Sequence, residues 1–411
     1  MGYTENLIDF IGKSTDCYHA VKTAKDRLDE NGFTELFEGD KWDVQSGGKY
    51  YVIRNSSSII AFEMPKKDFG AFMICASHTD SPSFKLKPDF EINADGCIKL
   101  SVEGYGGMIM SSWLDRPLSI SGRIVTAKNG KVETKLVNID RDLLVIPSLA
   151  IHMSRDINKG YEFNIRRDMC PIASDKNGRI EDIIAENVGV DKEEILGFDL
   201  LLYNRLRGTV LGADGEYFSA PRIDDLQCMY STLEGFLNSE SDDNVTVFAA
   251  FDNEEVGSGT KQGAKSSFLR DVLERICNNS ETYKRAVAKS FMLSCDNAHA
   301  VHPNFADKSD GTNRVYMNGG IVIKYNANQR YTTDAVSEAV VKYVCKNAGV
   351  PYQMYANRSD IPGGSTLGNL SNEKVSLNTA DIGLAQLAMH SSYETAGSRD
   401  TEYMVKMIKE F

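Results

Sequence analysis

The sequence predicts an α/β fold with a mostly parallel central sheet flanked by helices, and with an inserted, mainly-β domain. The chain has 411 residues, more than one compact domain usually contains. After about residue 216, apolar strand-like runs alternate with amphipathic helical patterns, which is typical of a parallel sheet covered on both faces. From about residue 90 to 215, short alternating segments are separated by Gly and Asn turns. We therefore predict an α/β domain made of residues 1–90 and 215–411, interrupted by a β-rich domain of residues 91–214.

The first part of the chain contains one predicted helix and one predicted buried strand. A helical pattern extends over residues 5–30 and ends near Gly32, which is a suitable C-cap. Residues 71–82, "AFMICASHTDSP", predict a buried strand that stops in a polar loop containing proline. Within the β-rich region, "KNGK" at 128–131 predicts a hairpin turn.

The last part of the chain alternates between helices and strands. The stretch "DDLQCMYSTLEGFLN" predicts a helix that Asp224 or Asp225 would cap. A second helix, "DAVSEAVVKYVCKNAG", would be closed by Gly349. We expect a final helix to start near Glu394. The remaining predicted segments are the helix "GAKSSFLRDVLERIC" and the strands "VTVFAAFDN", "SFMLSCDN", "GIVIKYN" and "PYQMYAN".

Composition excludes several classes of function. The net charge of -12 argues against binding to nucleic acid or to an anionic membrane surface. The sequence contains no run of about 18 apolar residues, so we expect no membrane span. The first residues lack a signal-peptide pattern. The eight cysteines are scattered without a CxxC pair, so we expect reduced thiols and a cytoplasmic location.

Side chains suited to metal binding follow several predicted strands or start a predicted helix. They are His78, Asp80, Asp224, Asp225, Glu254, Glu255, Asp296 and His390. Because sites in open parallel sheets form beyond the carboxyl ends of the strands, we expect these residues to meet at one edge. Imidazole with carboxylates suits zinc, cobalt or manganese. So many anions favour a pair of divalent cations over a single one.

Each of these segments also has an ordinary structural interpretation. The "DNEE" stretch is typical of a solvated loop or helix start, and a histidine after a strand is commonly a satisfied structural residue. Asp224 alone would be explained as an N-cap. The residues by themselves leave both interpretations open.

Seven motifs, in order along nearly the whole chain, closely resemble the aspartyl aminopeptidase family, the M18 zinc metallopeptidases. They are "SHTDSPSFKLKP", "YGG…SSWLDRPLSISGRI", "SAPRIDDLQCMYSTLEGF", "FDNEEVGSGTKQGA", "SCDNAHAVHPNFADK", "GIVIKYNANQRYTTDA" and "LAQLAMHSSYETAG". The resemblance implies a metallo-aminopeptidase-like catalytic domain at 1–90 and 215–411, with 91–214 as an oligomerisation domain.

The resemblance also implies roles for individual residues. One metal ion, with zinc the first candidate and cobalt or manganese as alternatives, would be held by His78, Asp224 and Asp296. A second would be held by Asp224, Glu255 and His390, with Asp224 bridging. Glu254 would act as the general base and Asp80 would orient the imidazole of His78.

Two further residues are assigned by the resemblance. His152 would reach the active site of a neighbouring subunit and stabilise the tetrahedral intermediate; without the resemblance a structural role is the simpler interpretation. Lys324 would line the pocket for the first substrate side chain, which implies an acidic N-terminal residue. A lysine at a sheet edge is the alternative for Lys324. Arg330, Tyr331 and the glycines of residues 362–366 are candidates to complete that pocket.

The predicted function is a dinuclear metallo-aminopeptidase that removes the N-terminal residue of peptides and prefers acidic (Asp or Glu) N-termini, with broad or neutral specificity as the alternative. The family implies a homo-oligomer, a dodecamer built from dimers. Two rival hypotheses are a dimetal deacylase of N-acyl amino acids and a catalytically inactive scaffold. Blocked substrates distinguish the first rival, and absence of bound metal would favour the second.

Overall fold

A computed structural model describes residues 2–128, 130–277, 279–361, 363–364 and 366–411. The chain forms two compact units. The first unit comprises Met1–Asp80, Gly208–Met389 and Glu394–Phe411, and the second comprises Ser81–Arg207 with His390–Tyr393.

The α-helices lie mainly in the first unit. In chain order they are α1 (Tyr3–Lys13), α2 (Cys17–Glu30), α3 (Ile165–Asp168), α4 (Ile180–Val188), α5 (Ile223–Leu237), α6 (Phe268–Ile276), α7 (Ser280–Val287), α8 (Ala335–Ala348), α9 (Leu367–Ser371) and α10 (Asp400–Glu410).

In the part of the chain that the structure describes, the strands form three sheets. In chain order the strands are β1 (Thr34–Glu35), β2 (Lys49–Arg54), β3 (Ser58–Glu63), β4 (Phe72–His78), β5 (Ser83–Ala94), β6 (Cys97–Tyr105), β7 (Leu118–Lys128), β8 (Lys131–Asn138), β9 (Ile172–Asp175), β10 (Ile195–Asn204), β11 (Thr209–Leu211), β12 (Tyr217–Ala220), β13 (Val245–Phe251), β14 (Phe291–Cys295), β15 (Ala298–His299), β16 (Ile321–Tyr325), β17 (Tyr352–Ala356), β18 (Asn378–Gly383), β19 (Ala385–Leu387) and β20 (Glu394–Gly397).

The central sheet of the first unit has the strand order β1-β2-β3-β13-β4-β14-β18-β16-β17. Its middle, β13-β4-β14-β18, is entirely parallel. Successive residues of β13 pack alternately on the two faces: Val247 joins the cluster with Phe268 of α6, and Phe248 joins the cluster with Met229 of α5. Burial on both faces explains why the central strands are near-continuous apolar runs. The carboxyl ends of these strands therefore meet at one edge of the sheet.

A smaller sheet of the first unit has the order β11-β12-β20-β19-β15. The second unit contains the third sheet, β8-β7-β10-β5-β6-β9, whose neighbouring strands are all antiparallel. The predicted boundaries at 90/91 and 214/215 differ from the observed division after Asp80 and after Arg207. The reason is strand pairing, because β5 begins at Ser83 and pairs with β6 and β10.

Most of the predicted elements form where the patterns place them. Asp334 caps α8 by accepting from the N–H groups of Val336 and Ser337, and Gly349 ends α8 in a left-handed conformation (φ 65°). In the "KNGK" hairpin, β7 and β8 pair up to Lys128 and Lys131. Asn129 of that turn lies outside the described residues.

The predictions were wrong at both ends of the first unit. The single helix predicted over residues 5–30 is two helices, α1 and α2. A new helix starts after Asp16 because the Asp16 side chain caps α2 by accepting hydrogen bonds from Tyr18 N and His19 N. The helix predicted to start near Glu394 is the strand β20, followed by α10. Within the described part of the chain, no helix is both long and apolar enough to cross a membrane.

Candidate metal centre

Four segments of the first unit bring the predicted site residues together. His78 is the last residue of β4, Glu254 and Glu255 follow β13 in a short 3₁₀ turn, and Asp296 directly follows β14. The start of α5 adds Asp224 to the same cluster. Because β13, β4 and β14 are adjacent and parallel, their ends deliver these side chains to one edge.

The cluster is centred on the imidazole of His78. Its Nε2 lies 3.4 Å from Asp224 Oδ1, 3.9 Å from Asp296 Oδ1 and 4.0 Å from Asp225 Oδ2. One ligand atom from each of these four residues lies within 4.8 Å of the others, and all four side chains are buried. A second group with the same spacing contains His78, Glu254 and Glu255.

The interpretation of Asp224 and Asp225 as helix caps is wrong. Both residues have non-helical backbone angles, the peptide bond between them is cis, and α5 has no side-chain cap. Asp225 Oδ2 instead accepts from the backbone N–H of His78 at 3.0 Å. The Asp224 N–H donates to Glu394 Oε2 at 3.0 Å. Asp225, which the sequence analysis counts among the candidate metal-binding side chains, is therefore a member of the cluster, although the family resemblance assigns it no ligand role.

Asp80 connects three elements of the site. Its backbone carbonyl lies 3.0 Å from His78 Nδ1, and its Oδ1 lies 3.4 Å from the same nitrogen. The two carboxylate oxygens accept from the backbone N–H groups of Glu254 at 3.1 Å and Glu255 at 3.2 Å. One aspartate thus fixes both the imidazole and the turn that carries the glutamates.

Burial of several carboxylates in one place has an electrostatic cost. Burial, reinforced by neighbouring carboxylates, raises the pKa of Glu254 to about 8. Burial also raises the pKa values of Asp225, Glu255 and Asp296. The same burial opposes a charged His78, but Asp225 and Asp224 outweigh it and raise the pKa of this imidazole well above its usual value.

The donor set fits divalent cations. One imidazole and five carboxylates are the nitrogen and oxygen ligands that zinc, cobalt and manganese accept. Divalent cations would offset the repulsion between the buried acids more completely than a single imidazolium does. The residues that offer these ligand atoms are His78, Asp224, Asp225, Glu254, Glu255 and Asp296.

Lys324 lies at the side of the cluster, on β16, and is only 2% exposed. Its ammonium donates to the carbonyl of Asn297 at 2.8 Å and lies 3.5 Å from Asp296 Oδ2. It also lies 5.6 Å from the centre of the Tyr331 ring. Burial disfavours the charge, but Asp296 and Tyr331 outweigh burial and raise the pKa of Lys324 above its usual value. Asp296, which forms an ion pair with this lysine, is itself a member of the cluster.

The other predicted residues are His390, His152 and Arg330. His390 belongs to the second unit, where its Nδ1 lies 2.6 Å from the carbonyl oxygen of Gly107. His152 lies in an exposed turn of the second unit. Arg330 donates to the carbonyl of Gly363 at 3.2 Å, whereas Pro362 and Ser365 of the same predicted pocket lie outside the described residues. The roles of His390 and His152 stay predictions.

The sequence and the fold match one family throughout. The family described as Aminopeptidase I zinc metalloprotease (M18) matches residues 10–411. A probable M18 family aminopeptidase 2 from Clostridium acetobutylicum is 45% identical over 427 residues, covering 100% of this chain and 98% of the relative.

Solved structures show the same fold. A chain of the cryo-EM structure of the Ape4 and Nbr1 complex has a TM-score of 0.97 at 35% identity, covering 100% of this chain and 85% of that chain. The S. cerevisiae mApe1 dodecamer has a TM-score of 0.87 at 29% identity, covering 99% of this chain and 95% of that chain. Together with the cluster of histidine and carboxylates, these matches show that the chain belongs to the M18 family of zinc metallopeptidases and is a metallo-aminopeptidase.

Proposed function

We propose that this aminopeptidase uses two divalent cations to remove acidic N-terminal residues from peptides, with zinc as the first candidate for both ions. The observation that carries the proposal is the gathering of His78, Asp224, Asp296 and Glu255 around one edge of the central sheet. His78, Asp224 and Asp296 would hold one cation. Asp224, Glu255 and His390 would hold the other, with Asp224 shared.

The bound cations would supply Lewis acidity for the scissile carbonyl and for the attacking water. Glu254 takes the proton from that water and delivers it to the leaving amine. Asp80 keeps Glu254 and Glu255 in fixed positions through their N–H groups, so that one glutamate handles protons while its neighbour serves as a ligand. His78, held through Nδ1, presents Nε2 to the cluster.

The acidic preference rests on Lys324. Its ammonium is buried beside Asp296, which places a fixed positive charge next to a proposed metal ligand. A substrate carboxylate that reached this charge would form a charge-assisted hydrogen bond in a site shielded from water. The second candidate is an aminopeptidase of neutral specificity. It is favoured by the contacts that Lys324 already makes with Asn297 and Asp296.

The test is the hydrolysis of Asp-, Glu-, Leu- and Lys-p-nitroanilides by metal-reconstituted enzyme. We expect the Asp and Glu substrates to be preferred. Lys324→Met should lower the ratio of kcat/KM for Asp over Leu by about 10- to 100-fold, the range for one hydrogen bond to a charged group. Lys342→Met, which removes a surface lysine paired with Glu338, is the matched control and should leave the ratio unchanged.

Three other results would change the proposed function or the proposed role of Lys324. Preference for the Leu substrate would keep the aminopeptidase and support neutral specificity. An unchanged ratio in Lys324→Met would remove Lys324 from the specificity pocket. Release of acetate from N-acetyl-aspartate, with no cleavage of the free-amine substrates, would favour the deacylase.

We also propose that the chain works as a homo-oligomer in a reducing compartment, the cytoplasm. The solved mApe1 relative is a dodecamer. The segment around His152 exposes apolar side chains, Leu149 at 53%, Ile151 at 47% and Met153 at 77%, which is typical of a surface that another subunit covers. None of the eight cysteines, all of which lie within the described residues, is in a disulfide, which supports the compartment.

If His152 acts in a neighbouring subunit, two inactive variants should complement each other. We expect His152→Ala and Glu254→Gln to be inactive separately. After they are co-expressed, about a quarter of wild-type activity should return if the exchange occurs within random dimers. Ser154→Ala, in the same exposed segment, should remain active alone. Hetero-oligomers that form, as shown by two affinity tags, but stay inactive would place His152 outside a neighbouring active site.

A further inference from the structure

The mechanism does not use Asp381, although this aspartate is fully buried in the first unit. It lies on β18, and both of its carboxylate oxygens accept short hydrogen bonds. Oδ2 accepts from the N–H of Thr332 at 2.5 Å and from its hydroxyl at 2.6 Å, and Oδ1 accepts from the hydroxyl of Thr366 at 2.5 Å. Hydrogen bonds to a buried carboxylate are among the strongest in proteins. Asp381 therefore joins two loops that are remote in the sequence.

Close packing around this carboxylate shows that its position is tightly specified. The N–H of Asp381 donates to the hydroxyl of Thr333 at 2.9 Å, which fixes the backbone as well. A Cβ atom on Gly368 would lie 2.7 Å from Asp381 Oδ1 and 3.0 Å from the Thr332 hydroxyl. Only a glycine at position 368 leaves this hydrogen-bond network undisturbed.

The strand of Asp381 and the loop of Thr332 both lead to the proposed specificity lysine. β16 and β18 pair antiparallel, with Val322 opposite Gly383 and Ile323 opposite Ile382. If this register is continued by one residue, Lys324 comes opposite Asp381, and opposed residues of antiparallel strands project from the same face. Tyr331, the residue before Thr332, lies with its ring 5.6 Å from the Lys324 ammonium and 6.4 Å from the ring of Tyr355.

We propose that Asp381 is a positioning residue that holds Tyr331 beside Lys324 and fixes the Thr366 loop to the same strand, and that it thereby sets the selectivity for the first substrate side chain. Asp381 does not touch the substrate. It acts through the Thr332 backbone, which fixes the path of the chain on which Tyr331 lies. The inference rests on the proposed function, since it takes the region around Lys324 as the pocket for that side chain.

The test compares Asp381→Asn with a matched variant on the same four p-nitroanilides. Asparagine is isosteric, but its NH₂ group cannot accept a hydrogen bond, so at least one of the links to Thr332 or Thr366 is lost. We expect the ratio of kcat/KM between the best and the worst substrate to fall by about tenfold or more, mainly through a higher KM for the best substrate. Asp400→Asn is the control.

Asp400 resembles Asp381 in its burial and hydrogen bonding but lies in a different part of the first unit. It is also fully buried in the first unit and accepts from two backbone N–H groups, those of Asn318 at 2.6 Å and Gly320 at 2.9 Å. Loss of stability alone should therefore be similar in the two variants, as measured by thermal unfolding. Asp400→Asn should leave the substrate ratio unchanged.

Two milder variants keep the inference testable if Asp381→Asn does not fold. Gly368→Ala introduces the crowding Cβ while Asp381 stays, and Thr332→Val removes one hydroxyl bond from the carboxylate. Both should lower the ratio, whereas Thr332→Ser, which retains the hydroxyl, should restore it. An unchanged ratio in Gly368→Ala and Thr332→Val would overturn the inference.

The outcomes separate this inference from the proposed function. Wild-type preference for Leu would refute the acidic specificity, yet a lower ratio in Asp381→Asn would still support the positioning role. An equal fall in kcat for all four substrates, with the ratio intact, would show that Asp381 is merely structural. A wild-type enzyme without any selectivity would overturn both.

Discussion

Replacing Glu254 with glutamine is expected to lower kcat by roughly 10²- to 10⁴-fold, the usual contribution of a general base. Glutamine keeps the size of the side chain but cannot take up the proton from the attacking water. The backbone N–H of residue 254 would still donate to Asp80, so the turn should keep its shape. The measurement is kcat on the preferred p-nitroanilide, together with the metal content of the purified protein.

Glu255→Gln is the matched control for this prediction. The two glutamates are adjacent, and Asp80 binds the N–H of each. We expect the Glu255 variant to lose metal as well as activity, and the Glu254 variant to retain its metal. If Glu254→Gln loses metal and Glu255→Gln retains it, the proposed roles of the two residues are reversed.

Removal of metal is expected to abolish activity and to lower the melting temperature by several degrees. A ligand at about a thousand times its Kd stabilises the folded state by about 4 kcal/mol. Without a metal ion, repulsion among the buried carboxylates of Asp224, Asp225 and Asp296 would be offset by His78 and Lys324 but not by a divalent charge. The measurement is thermal unfolding and peptidase activity before and after dialysis against EDTA, and again after addition of zinc, cobalt or manganese.

The variant Asp224→Asn shows whether the stabilising metal is bound in this cluster. Its carboxylate lies closest to His78 Nε2 among the cluster distances, at 3.4 Å. In this variant EDTA should change the melting temperature much less than in the wild type. An equal change in both proteins would mean that the stabilising metal binds elsewhere, and recovery with none of the three cations would exclude the proposed donor set.

The central part of the fold was predictable because its signals are strong and local. The strands β4, β13 and β14 are apolar runs that end in polar residues, and parallel strands must deliver their ends to one edge. This is why His78, Glu255 and Asp296 could be expected to meet, as they do in the structure.

What the sequence did not predict depends on contacts between remote segments. The break at Asp16 between α1 and α2 is too short to change a helical hydrophobic pattern. Aspartate is a common N-cap residue, so the position of Asp225 predicts a helix cap. Its carboxylate instead accepts a hydrogen bond from the backbone of His78, which is far away in the sequence. The partners of Lys324 are likewise set by β14 and the loop that follows it. The functions of His152 and His390 rest on family resemblance and stay predictions.

The order in which the site residues occur along the chain has a consequence for biosynthesis. His78 ends β4, whereas Asp296 follows β14, and β14 pairs directly with β4. A growing chain on the ribosome therefore lacks a complete set of the proposed ligands until β14 has docked and the segment that carries His390 has also emerged. Pairing between segments so distant in sequence forms slowly compared with local helices. Peptidase activity would thus appear only after the first unit has folded.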